Sequence, residues 1–71
     1  MRARIKFNTT DQADDFTTEY CKYSLGTISQ SEWIVTLAGM DEKAKLFTDY
    51  YISQLNKNKR RVDSIVYLIE I

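Results

Sequence analysis

Residues 2–12 read Arg2-Ala3-Arg4-Ile5-Lys6-Phe7-Asn8-Thr9-Thr10-Asp11-Gln12, and within them the apolar pattern changes period. Ala3, Ile5 and Phe7 alternate with Arg2, Arg4 and Lys6. A period of two puts the apolar groups on one face of a strand and the cations on the other. Asn8 to Asp11 then has the chemistry of a helix start. Thr9 and Gln12 have capping-box spacing, and Asn8 with Asp11 offers an alternative cap. Asp11, Asp14 and Asp15 fall in the first turns, where the helix dipole favours negative charge. Ala13, Phe16 and Tyr20, with Cys21 beside them, make one apolar stripe and predict a helix over about residues 10–23.

Leu25 to Gln30 is a weak β signal, and Glu32 to Ala38, with Trp33-Ile34-Val35-Thr36-Leu37, is a strong one. Turn chemistry at Ser29–Glu32 joins them as a hairpin. Gly39 ends the second strand, Asp41 caps a second helix, and Lys43 to Leu55 contains no breaker. Ala44, Phe47, Tyr51 and Leu55 share one face of that helix, Leu46 and Tyr50 lie to one side, and Asn56 or Asn58 is placed for a left-handed C-cap. Val62 to Ile71 is apolar at both parities, which predicts a long last strand, central in the sheet or covered by a partner.

The resulting order is β-α-β-β-α-β, an α+β two-layer fold with one four-stranded, mainly antiparallel sheet and two helices on one face. Ferredoxin-like folds have this order. Open-faced sandwiches of the HPr kind share it with different strand connections. The comparison is architectural and does not by itself give a function. A phosphocarrier of the HPr kind needs a phosphorylatable His, and the chain has none.

The 71 residues allow one domain, residues 1–71, with no Pro and no linker-like stretch. A core of this size supplies only about 3–5 kcal/mol. One Cys gives no intramolecular disulfide, and the lack of His removes the usual zinc ligands and every imidazole mechanism. Nine aromatics (five Tyr, three Phe, one Trp) or self-association must therefore supply the stability. No apolar run is long enough to span a membrane and no signal peptide is visible, which points to a cytoplasmic setting.

No Gly-rich phosphate loop, nucleophile–base pair or metal-ligand spacing is present, so no catalytic, cofactor or metal residue is nominated and no small-molecule substrate is inferred. Cys21 is expected to be a buried packing residue. Asp11, Asp14, Asp15 and Glu19 read first as a solvated acidic face and second as an acidic docking surface or nucleic-acid mimic. Two surfaces remain as candidates. Leu46 and Tyr50 widen the apolar sector of the second helix beyond one stripe, leaving either a protein-contact edge or a core wrapped around the helix. Arg2, Arg4 and Lys6 form a cationic row facing away from the helices, and Lys57, Lys59, Arg60 and Arg61 form a basic connection before the last strand. RRM domains bind single strands with basic and aromatic groups on an open sheet face, although their paired-aromatic consensus is missing here. The bland alternative is a solvated face, neutralised by cross-strand pairs with Glu70 or Asp63.

These features predict a small non-catalytic interaction protein, an accessory subunit or inhibitor of the kind phages and mobile elements carry, that binds a larger protein or a second copy of itself. The alternative is a nucleic-acid-binding module using the basic groups.

Overall fold

The first strand, β1 (Ala3–Lys6), alternates buried and exposed residues as its sequence dictates. In the computed structural model, which describes residues 2–71, α1 (Thr10–Lys22) and the hairpin β2 (Thr27–Ser31) and β3 (Ile34–Ala38) follow it. Then come α2 (Glu42–Asn56), a 3₁₀ turn (Val62–Ser64) and β4 (Tyr67–Glu70). The sheet order is β2-β3-β1-β4 with every pair antiparallel. This is the ferredoxin-like strand order, and it decides between the two architectures that share the element order.

Both helices start where side-chain caps are available. Thr9 accepts a hydrogen bond from the Gln12 amide at 3.2 Å, and the Asn8 amide donates to Gln12 Oε1 at 3.1 Å. Asp41 accepts from the Ala44 amide at 2.8 Å. α1 lies over β2 and β3, and α2 over β4. Between the layers, Ala3, Ile5, Phe7, Val35 and Leu37 of the sheet meet Ala13, Phe16 and Tyr20 of α1 and Ala44 and Ile52 of α2. Gly26, at φ +142°, occupies a backbone region open only to glycine, between α1 and β2.

Several sequence expectations shift. Glu32 and Trp33 form the hairpin turn, so Trp33 lies before β3 and not in it. Glu32 adopts φ 55° there, a conformation that fits the twist of a two-residue hairpin. Cys21 is exposed, because about 100° of helical rotation past Tyr20 carries it off the buried stripe. The buried stripe of α2 is Ala44, Thr48 and Ile52. Phe47, Tyr51 and Leu55 pack at its flank, half-buried. Thr48 can face the sheet because its hydroxyl donates to the Ala44 carbonyl at 2.8 Å. The C-cap of α2 is Lys57 in right-handed geometry, so neither Asn56 nor Asn58 takes a left-handed cap. Finally, β4 is a short edge strand. Its upstream residues turn as 3₁₀, and Tyr67, Ile69 and Ile71 stay exposed, so the two-sided apolar pattern reflects one covered face and one open apolar face.

Burial pushes the Tyr20 hydroxyl above its ordinary pKa, with Asp41 adding to the shift. Tyr51 is raised by burial, then by the charges of Asp15 and Glu19. In the unfolded chain both tyrosines ionise near pH 10, before they do in the fold. Stability contributed by keeping them neutral is therefore complete below about pH 10 and lost as pH rises through the folded values. Urea midpoints are expected to hold level from pH 8 to 9.5 and fall by pH 11. Tyr20→Phe should lessen that fall.

Candidate binding surfaces

Leu46 and Tyr50 are four residues apart on α2, so they stand on one face one turn apart. They are exposed at 63% and 67%, values that place them outside the core rather than wrapped into it. Tyr50 adjoins a cleft between the helices of about 410 Å³. Its lining includes Tyr23, Phe47 and Tyr51, with Asp15 and Glu19 at its rim. The Phe47 ring is the hub, with centroids 5.8 Å from Tyr23 and 6.0 Å from Tyr51. A second hollow of about 250 Å³ shares Tyr23, Phe47 and Tyr50 and is closed by Leu25 and Lys43. The two hollows form one groove, acid-rimmed at the Asp15/Glu19 end and apolar at the Leu25 end. Tyr23, Phe47 and Tyr51 join the candidate site only in three dimensions. Their one sequence signal was an excess of aromatics beyond what one stripe accommodates.

On the opposite side, Arg2, Arg4 and Lys6 project from the open face of the sheet. Register places Arg4 between Thr36 and Ile69, and Lys6 between Ile34 and Tyr67. The expected cross-strand neutralisation does not occur. Glu70 pairs with Lys45 at 3.3 Å, on the helix side, and Asp63 pairs with Arg61 at 2.9 Å. Those are the two ion pairs among the described residues, so the cationic row has no carboxylate partner there.

The Lys57, Lys59, Arg60 and Arg61 connection leads into the Lys6 end of the sheet. The Asn8 side chain donates to the Ser64 carbonyl, and Lys6 and Asp63 line one hollow of about 250 Å³ with Tyr67. Arg2 is at the other end of β1, roughly 13 Å along at the usual strand rise. The basic connection therefore meets the row at its Lys6 end and not at its Arg2 end, and Asp63 pairs with Arg61.

The formal charge of zero hides a segregation. Asp11, Asp14, Asp15, Glu19, Asp41, Glu42 and Asp49 belong to the helices and their caps, whereas the charges that β1 presents on the open face are Arg2, Arg4 and Lys6, with Asp63 reaching the Lys6 end. Among the described residues no group of three His, Cys, Asp or Glu side chains is placed to hold a metal ion. No described helix is long and apolar enough to cross a membrane.

No protein-family model, curated protein or solved structure matches this chain.

Proposed function

We propose that this is a non-catalytic interaction protein, an accessory subunit or inhibitor, that binds a larger protein through the α2 surface around Leu46 and Tyr50. The observation that carries the reading is the exposure of these two side chains, with Tyr50 lining an aromatic groove and Leu46 one turn before it on the same face. An exposed Tyr beside a recess is a common energetic centre in an interface, and an exposed Leu one turn away adds apolar area to it. The free, exposed Cys21 accords with a reducing, cytoplasmic setting.

The test is capture of the partner with purified wild-type protein and measurement of its affinity. Leu46→Asp and Tyr50→Asp are expected to weaken binding about tenfold or more. Both sites are solvent-facing, so circular dichroism should show the fold unchanged. Normal affinity in both variants would rule out this surface.

A second reading has its own observation. The unpaired row Arg2, Arg4 and Lys6 beside Tyr67 and Ile69 offers cations and one stacking ring to a single-stranded nucleic acid. That reading requires binding to an oligonucleotide that falls steeply with salt. Arg4→Glu is expected to reduce it about tenfold, and salt-independent binding would reject it.

A further inference from the structure

The aromatic groove between α1 and α2 has a chemistry more specific than a general contact patch. Asp15 and Glu19 are four residues apart on α1, so their charges repel across one helical turn. Neither makes an ion pair with a described residue. Both stand at the rim of a recess lined by aromatic rings. Their field reaches into it, since both charges help hold the Tyr51 hydroxyl above its ordinary pKa. Ring faces attract cations, and two carboxylates beside them supply direct ion pairing. Lys22 stands over the Tyr23 ring at 5.7 Å. The adjoining hollow differs. Leu25, Phe47 and Tyr50 make it apolar, and Lys43 at its edge disfavours a second cation.

We infer that the groove receives a partner segment carrying an arginine or lysine next to a large apolar residue, the cation between Asp15, Glu19 and the tyrosine rings, the apolar side chain in the Leu25 hollow. This rests on the reading of the α2 surface as the partner-binding site and adds the class of partner: a basic, amphipathic segment. Charge complementarity argues for it over an acidic or purely apolar occupant. Capture of the cation also relieves the Asp15–Glu19 repulsion.

The probe is a pair of acetylated, amidated pentapeptides, Ala-Leu-Arg-Leu-Ala and the same peptide with citrulline for arginine, titrated into the full chain and followed by NMR. Citrulline keeps the shape of arginine and removes its charge. The arginine peptide is expected to shift the ring signals of Tyr23, Phe47, Tyr50 and Tyr51 saturably and to bind about fivefold or more tightly than the citrulline peptide. Asp15→Asn with Glu19→Gln should abolish that preference. Asp11→Asn with Asp14→Asn, which removes equal charge nearer the start of α1, should leave it intact. Equal binding of the two peptides, an equal loss in both double variants, shifts confined to the open sheet face, or no binding would each overturn the inference. The broader reading is judged separately. Partner affinity lost in Leu46→Asp but unchanged in Asp15→Asn with Glu19→Gln leaves the surface standing and removes its cation specificity. Affinity unchanged in Leu46→Asp and Tyr50→Asp removes the surface itself.

Discussion

Phe16→Ala is expected to abolish cooperative folding. The Phe16 ring is fully buried and lies at the centre of the aromatic cluster, with centroids 5.5 Å from Phe7, 5.6 Å from Tyr20, 6.0 Å from Phe47 and 5.1 Å from Tyr51. It therefore joins the sheet, α1 and α2 at one point. Truncating a buried Phe to Ala costs about 3–5 kcal/mol through lost transfer energy and the cavity left behind. A domain of this size has only about 3–5 kcal/mol in total. The single deletion thus consumes the whole stability, and no disulfide holds the remainder together. Thermal denaturation followed by near-ultraviolet circular dichroism should show no sigmoidal transition. Phe16→Leu fills most of the same volume and should retain a transition at lower temperature. A cooperative melt of Phe16→Ala within a few degrees of wild type would show that the cluster does not hold the layers together.

Asn56→Ala is expected to cost about 2 kcal/mol or more and to free β4 from the rest of the domain. The Asn56 amide donates to the Val66 carbonyl at 2.7 Å, and its oxygen accepts from the Val66 amide at 2.9 Å. A side chain at the end of α2 thus pairs with the backbone of Val66 as a neighbouring strand would. Val66 is almost fully buried, so truncation leaves its amide donor and carbonyl acceptor without their partners. Each such loss costs about 1–3 kcal/mol. The hydrogen-exchange protection of Val66 and of the β4 amides should fall far more than that of α1. Asn56→Asp keeps an acceptor for the Val66 amide but sets a carboxylate oxygen against the Val66 carbonyl, so it should not restore wild-type protection. Unchanged β4 protection in Asn56→Ala would show that strand pairing with β1 suffices to hold the edge. The same clamp starts the strand that presents Tyr67 and Ile69 on the open face, so it also sets the geometry of the nucleic-acid reading.

Asn56 illustrates why part of the site was illegible in the sequence. Read locally, an Asn after a helix is a C-cap, and the competing role ten residues away depends on where the sheet brings Val66. Cys21 and the α2 stripe failed for a related reason. Helical rotation of about 100° per residue makes neighbours on the wheel nearly equivalent, and only the direction from which the sheet approaches decides which are covered. That direction turned α2 onto Ala44, Thr48 and Ile52 and left Leu46 and Tyr50 in solvent. The cationic row was legible, because strand alternation has two faces and no ambiguity about which residues share one. Its lack of neutralisation was not, because Glu70 and Asp63 had several cations within reach of a plausible fold.

The sequence by itself determined the order of elements, the start of both helices and the two faces of β1. Periodicity, capping side chains and glycine positions act over a few residues, and that range is fully contained in the chain. The tertiary structure alone decided the strand order β2-β3-β1-β4, the edge position of β4 and the joining of Tyr23, Tyr50 and Tyr51 with Asp15 and Glu19 around one groove. Those outcomes depend on how two layers share a small volume, a balance among side chains far apart in the chain that no local pattern encodes.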